Sequence, residues 1–373
     1  MRTVRVGIVG GGLMGKELAS AAARWMHIDA PFARPEIVAI CDVNAEARDW
    51  FTQNVPTCTL STSSVQELLV SDDVEAVYCA VPHNLHAEFY IDIIQAGKHL
   101  LGEKPFGIDL DANSRILKAV KSNPEVLVRC SSEFPFYPGA QAIIREITAG
   151  SFGEIIDFRA RFLHSSDLDP NKPINWKRQV AFNGAYGCMG DLGLHVMHIP
   201  LRFGWEPETV ASQLSNIMRD RPDGAGGMQA CETWDNAAIH GMIRQDGAAF
   251  PITLETKRIA PGEMNSWEVQ IDGTRKSMAY STKHSKTLRV LDYESGQPQD
   301  WKHRDLGYAS AYKAITGGIF EFGFSDSLLQ MWAAFLDEMV HGQERMTQPF
   351  FCATPEETAG SHRIMTSALS SPL

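Results

Sequence analysis

Six residues near the N-terminus leave few folds open to this chain. A β-branched run at 4–9 leads into Gly10-Gly11-Gly12-Leu13-Met14-Gly15, and helix-like sequence follows through 18–23. The six fit G-x-G-x-x-G and sit where dinucleotide binding requires them, after a strand and at the start of a helix. Gly10 permits the tight turn, Gly12 lets a pyrophosphate approach the backbone, and Gly15 lets the helix pack on the strand. Leu13 and Met14 open the first helical turn, whose free amides favour an anion. A glycine-rich turn without a ligand would share the spacing, so the strand before and the helix after carry the reading.

A second apolar run, 37–41, ends at Asp42, where a ligand for the adenosine ribose belongs. The interval from Gly15 exceeds the usual one of about 20 residues, and 26–35, with two prolines, reads as a surface insertion that accounts for the excess. A carboxylate at 42 accepts bonds from ribose hydroxyls and repels a 2′-phosphate, so NAD is expected over NADP. Asp42 as the cap of the next helix is the plainer reading, and Arg48 downstream keeps NADP open.

The βα pattern continues. Strand-like runs at 76–81, 99–102 and 126–130 alternate with helix-like stretches at 85–96, closed by Gly97, and at 110–120. Repeated units of this kind favour a parallel sheet covered on both faces, so residues 1–130 are expected to form an α/β dinucleotide-binding domain. After Ser131 a helix at 141–149 precedes strict alternation. Ile156, Phe158, Ala160 and Phe162 point one way, and Asp157, Arg159 and Arg161 the other. That is a half-buried antiparallel strand. Further strand signals lie at 237–243, 252–256, 267–271 and 288–293, with a hairpin signal at Gln245-Asp246-Gly247. Two late helices are expected, one with an apolar stripe from Leu328 to Met339 and one opened by Thr354-Pro355-Glu356-Glu357. Residues 131–373 thus read as an α+β domain.

At 373 residues the chain suits two domains. Its net charge of -11 would repel nucleic acid and anionic membranes, and no apolar run is long enough to span a bilayer. The N-terminus runs straight into a strand and leaves no room for a signal peptide. Seven scattered cysteines without a CxxC pair suit a reducing compartment, so a cytoplasmic protein is expected.

Two clusters carry candidate chemistry. Glu103-Lys104-Pro105 follows a parallel strand, at the end of the sheet where ligands bind. Burial could bring such a lysine from about 10.4 towards roughly 7–8, where it exchanges protons at neutral pH. Asp191 and His195 are four apart, which on a helix puts them on one face and would let the carboxylate orient the imidazole. His198 adds a third polar group. Three ligands on one helix would crowd a metal ion, so no metal is expected.

Together these stretches resemble the Gfo/Idh/MocA family of oxidoreductases. The matches are GIVGGGLMG, ICD ending at Asp42, AVPHNLHAE, GEKP, GCMGDLGLH and the late FSDSLLQMWAAFLDEMVHG, in order. The resemblance implies an N-terminal Rossmann domain and a C-terminal α+β domain with a large, mostly antiparallel open sheet. It implies an NAD-dependent dehydrogenase of a sugar or cyclic polyol, inositol-, levoglucosan- or glucose-like, assembled as a homodimer or homotetramer through that sheet. Ala80, Val81, Pro82, His83 and His86 would lie in the loop lining the cofactor site, beside Glu103. Lys104 would contact substrate and nicotinamide, and Asp191 and His195 would be the family's aspartate and acid/base histidine. Trp176-Lys177 resembles a Trp-Arg pair near the active site, with lysine in place of arginine. Glu133 departs from a pattern that often has arginine there. A non-catalytic sugar or nucleotide sensor on the same fold stays open, as does an enzyme of nucleotide-linked sugars using Arg159, Arg161 and Lys172.

Overall fold

The computed structural model describes residues 1–245 and 247–372. Its first sheet is seeded by β1 (Arg2–Val9), whose Val4, Val6 and Ile8 are fully buried. Around it stand β2 (Ala33–Cys41), β3 (Leu60–Thr62), β4 (Ala76–Cys79), β5 (His99–Gly102) and β6 (Val128–Cys130). All pairings are parallel, in the order β3-β2-β1-β4-β5-β6. The connecting helices are α1 (Leu13–Ala23), α2 (Ala45–Asn54), α3 (Val65–Leu69), α4 (His86–Gln95) and α5 (Leu110–Ser122). The order reverses between β1 and β4, and a sheet of this topology takes its ligand in the crevice at that switch point.

Past β6 come α6 (Pro138–Thr148), β7 (Ile155–Leu163), α7 (Val180–Asn183) and α8 (Cys188–Arg202). Strand β8 (Thr209–Ser215) follows, then a small ribbon of β9 (Asp220–Pro222) and β10 (Met228–Ala230). The remaining strands are β11 (Asn236–Gln245), β12 (Ala248–Lys257), β13 (Ser266–Gly273), β14 (Lys276–Ser281), β15 (Thr287–Asp292) and β16 (Lys302–Asp305). With β7 and β8 they form an eight-stranded sheet, β16-β15-β14-β13-β7-β12-β11-β8, antiparallel except where β7 meets β12. Strands β11 and β12 pair as the hairpin signal predicts; residue 246 lies outside the described residues.

One face of this sheet carries Phe158, Ala160, Phe162, Leu254 and Trp267, all buried, and α8 packs on it. Ile156 does not join them and is 53% exposed, because the register shifts between Asp272 and Gly273 at that end of β7. The opposite face is polar. Arg159 pairs with Asp157 at 2.5 Å and Asp272 at 2.6 Å, and Arg161 with Glu268 at 2.5 Å. Around β7 this outer face is therefore charged and ion-paired.

Two helices return to the first sheet. The buried flank of α9 (Phe324–His341) packs on α1 and β2. Helix α10 (Pro355–Ser370) packs on α5 and α8, and its Thr354–Glu357 capping box is formed in both directions, at 2.8 and 3.2 Å. The segment before β2 is not a loose insertion: Trp25 and Ile28 are buried, and Asp29 N donates to Lys313 O at 2.7 Å. All seven cysteines are buried and unpaired. Among the described residues, no helix is long and apolar enough to cross a membrane.

Candidate active site

The three glycines are under different constraints. Gly10 has φ +98°, and a Cβ there would meet the Ala80 carbonyl oxygen at 2.3 Å. A Cβ at Gly15 would lie 2.4 Å from Gly10 O, while one at Gly12 would meet nothing within 4 Å. Gly10 and Gly15 thus hold the turn closed, and Gly12 leaves open space beside the start of α1, which no side chain caps. Asp42 accepts from Gly11 N at 2.7 Å and Asn44 N at 2.8 Å, tying the end of β2 to the turn. Asn44, not Asp42, caps α2, accepting from Glu46 N at 3.0 Å. Arg48 is engaged with the Asp42 carbonyl at 2.5 Å. This open, uncapped turn with a carboxylate beside it fits a dinucleotide.

From the turn a cleft of about 850 Å³ runs to the second domain. Gly10, Gly12, Leu13, Met14 and Asp42 line one end, and Ala80, Val81, Pro82 and His83 the middle. Glu103, Lys104, Trp176, Asp191 and His195 close the far end. His86 stands behind this wall. It is fully buried, its Nε2 lies 3.0 Å from Val81 O, and its Nδ1 accepts from Gly107 N at 3.3 Å. Burial holds its pKa down at about 3, so it braces the loop as a neutral ring.

Asp191 is the hub of the far end. Lys104 Nζ donates to its Oδ1 at 2.9 Å and its carbonyl at 2.7 Å, Lys177 Nζ to its two carboxyl oxygens at 3.0 and 3.1 Å, and Arg258 Nη1 to Oδ2. Burial alone would raise the Asp191 carboxyl, but these three cations outweigh it and hold it well below its usual range. Arg258 also reaches Asp167 at 3.0 Å, and Lys172 meets Asp167 at 3.0 Å. Burial opposes the Lys104 charge too, yet Asp191 and Glu103 raise it above its ordinary value. Lys104 is a fixed cation, not the neutral-pH proton exchanger the sequence allowed. Lys177 is the softer one, lowered to about 8 by burial and by the neighbouring Arg258 and Lys104, against the pull of Asp191.

His195 is one turn from Asp191 on α8, but no hydrogen bond joins them among the described residues. Its Nδ1 lies 3.4 Å from Ser132 Oγ and 3.9 Å from Glu133 Oε2. The Phe134 and Phe162 rings meet the imidazole edge-on at 5.0 and 5.1 Å, and Trp267 Nε1 anchors its carbonyl at 2.8 Å. Burial, then the Lys104 charge, holds His195 well below its usual pKa, so it is a neutral base. His198 points elsewhere, bonded by Arg202 at 2.6 Å and facing Glu357 at 3.5 Å. Among the described residues, no three histidine, cysteine or acidic groups are gathered as a metal site.

The model of the oxidoreductase family with an NAD-binding Rossmann fold matches residues 4–129, and that of the GFO/IDH/MocA C-terminal domain matches 140–279. The chain belongs to the Gfo/Idh/MocA oxidoreductase family. Its first domain is an NAD-binding one. Among curated members, levoglucosan dehydrogenase of Pseudarthrobacter phenanthrenivorans is 29% identical over 308 residues, covering 78% of this chain and 76% of that one. Glucose-6-phosphate 3-dehydrogenase of Bacillus subtilis is 21% identical over 77% of each chain. A solved levoglucosan dehydrogenase with NADH and levoglucosan superposes with a TM-score of 0.85 at 24% identity, over 99% of this chain and 97% of that one. In this Gfo/Idh/MocA chain, sequence reasoning missed Arg258 and Asp167. Arg258 reaches Asp191 from 67 positions away and is held in turn by Asp167; it follows directly after β12, whose pairing with β7 brings it there.

Proposed function

We propose that this chain oxidises a hydroxyl of an uncharged sugar or cyclic polyol, inositol-, levoglucosan- or glucose-like, with NAD as the oxidant. The observation that carries the reading is the single cleft joining the glycine turn and Asp42 to Lys104 and His195. When bound, NAD accepts the carbinol hydride at its nicotinamide. Lys104 donates a hydrogen bond to the reacting oxygen, its charge held by Asp191. His195, neutral and with Nε2 unbonded among the described residues, takes the hydroxyl proton. Asp191 acts through Lys104, Lys177 and Arg258 rather than by orienting the imidazole. In division of labour, residues 1–130 bind NAD and residues 131–373 supply the base and the substrate wall.

The charge of the cleft argues for an uncharged substrate. Its lysines and arginines among the described residues, Lys104, Lys172, Lys177 and Arg258, are each paired with Asp191 or Asp167. A phosphate or nucleotide diphosphate needs cations free to turn towards it, and these four are held in place by the two carboxylates. Arg159 and Arg161 are paired on the outer face of the sheet. Levoglucosan dehydrogenase as a relative supports the same class, and a non-catalytic sensor would have no use for a buried base beside a fixed cation. Asp42 at the ribose end favours NAD over NADP, and seven unpaired thiols suit the cytoplasm. The test is a panel of levoglucosan, inositols, glucose and xylose beside glucose 6-phosphate and a nucleotide sugar, followed at the NADH band. Turnover confined to charged members would overturn the reading.

A further inference from the structure

The carboxylate nearest His195 is not the one expected from its helix. Glu133, at the end of the loop after β6, is 5% exposed and lines the cleft, and among the described residues no lysine or arginine is paired with its carboxylate and no other residue donates to it. Every other carboxyl group at this end is bonded: Asp191 by three cations, Asp167 by two, and Glu103 by Tyr78 Oη at 2.6 Å. A largely buried carboxylate with no cation on it and only its own backbone amide as donor is costly to keep charged. Its Oε2 faces His195 Nδ1 at 3.9 Å, with Ser132 Oγ 3.4 Å from the same nitrogen. That is longer than a hydrogen bond, but contacts of this kind tighten in the substrate complex.

We propose that Glu133 is the positioning residue for His195, and that its carboxylate receives the Nδ1 proton when Nε2 takes the substrate's. The inference rests on the carbinol-oxidation reading and deepens it. In the step, the substrate O–H bond breaks and its proton joins Nε2. The carbinol C–H bond breaks and its hydride reduces oxidised NAD, leaving a carbonyl. The Nδ1–H bond breaks and its proton joins Glu133 Oε2. The imidazole ends neutral with its proton on the other nitrogen, and Glu133 ends as a carboxylic acid. Two properties of the site favour this over an imidazolium. Burial and Lys104 disfavour a charged His195. Burial, and then the Glu103 charge, push Glu133 up to about 7, with Lys104 opposing, so it can hold a proton at neutral pH. The groups facing it are Glu103 and Lys104 beyond β5, Tyr78 on β4, Tyr137 before α6 and His195 on α8.

The test compares the unaltered chain with Glu133→Gln and Glu133→Asp, each loaded with NAD and checked for unchanged NAD affinity. Histidine nitrogen NMR without substrate, assigned by a His195→Gln difference, should show His195 responding to pH with a midpoint near 7. That response should vanish in Glu133→Gln. With a polyol that is turned over, Glu133→Gln should lower kcat by roughly 10²-fold with KM little changed, and Glu133→Asp should recover part of it. The same His195 titration in both proteins, or an unaltered kcat in Glu133→Gln, overturns the proposal. If the unaltered chain oxidises no polyol, the substrate reading fails while the NMR arm still judges Glu133.

Discussion

Replacing Asp191 with asparagine keeps the size of the side chain and removes one charge, and the structure makes that loss severe. The carboxylate has 5% of its surface exposed and three cations on it, at 2.9 Å for Lys104, 3.0 Å for Lys177 and closer for Arg258. Breaking a buried ion pair by removing one partner typically costs about 3–5 kcal/mol, because the other charge is left uncompensated. Arg258 keeps Asp167, so Lys104 and Lys177 are the ones stranded. Over 373 residues, at about 2 cal/mol/K each on unfolding, that loss corresponds to about 4–6 °C in Tm. Asp191 titrates below its ordinary value in the folded state, so its contribution is complete above the unfolded carboxyl pKa of about 3.9 and fades as pH falls below it. Scanning calorimetry of the two proteins should therefore show a constant Tm gap between neutral and mildly acidic pH that closes on further acidification. Equal Tm values at pH 7 would refute the hub role, as would a gap that widens in acid.

Three further outcomes follow. Gly10→Ala, whose Cβ would lie 2.3 Å from Ala80 O, should unfold or misfold the first domain; Gly12→Ala, with nothing within 4 Å, should melt normally and lose NAD affinity. Calorimetry with NAD titration separates them, and equal behaviour would sink the cradle. Asp42→Ala should narrow or reverse the preference for NAD over NADP in binding titrations, and tighter NADP binding by the unaltered chain would end that assignment. Light scattering should report a dimer or tetramer of the 41.3 kDa chain, with contacts beyond about residue 150 that include the exposed Ile315, Ile319 and Phe320. A monomer at micromolar concentration would count against it.

The first sheet was legible because its signals are local. A β-branched run, a glycine turn and a helix succeed one another within the span that forms the unit, and the strand at 99–102 is found where the run predicts it. The site was legible only as far as its residues share an element. Asp191 and His195 read as a pair because they lie on one helix, yet each looks to a different neighbour. Asp191 is claimed by Arg258 just past β12 and Lys104 just past β5, and His195 faces Glu133 beyond β6. Spacing along a helix fixes which face a side chain shares, but not which distant charge reaches it first. The outer face of the second sheet misled for the same reason, since Asp272 and Glu268, which pair with Arg159 and Arg161, stand on β13.

The central claim is that His195 is the base of an NAD-dependent carbinol oxidation. It is tested most directly by measuring NAD reduction with an uncharged polyol for the unaltered chain and for His195→Ala, with NAD affinity measured on both. General base catalysis is typically worth about 10²–10⁴-fold, so kcat should fall by that order in His195→Ala while NAD binds as before. Near-normal turnover by His195→Ala would contradict the account.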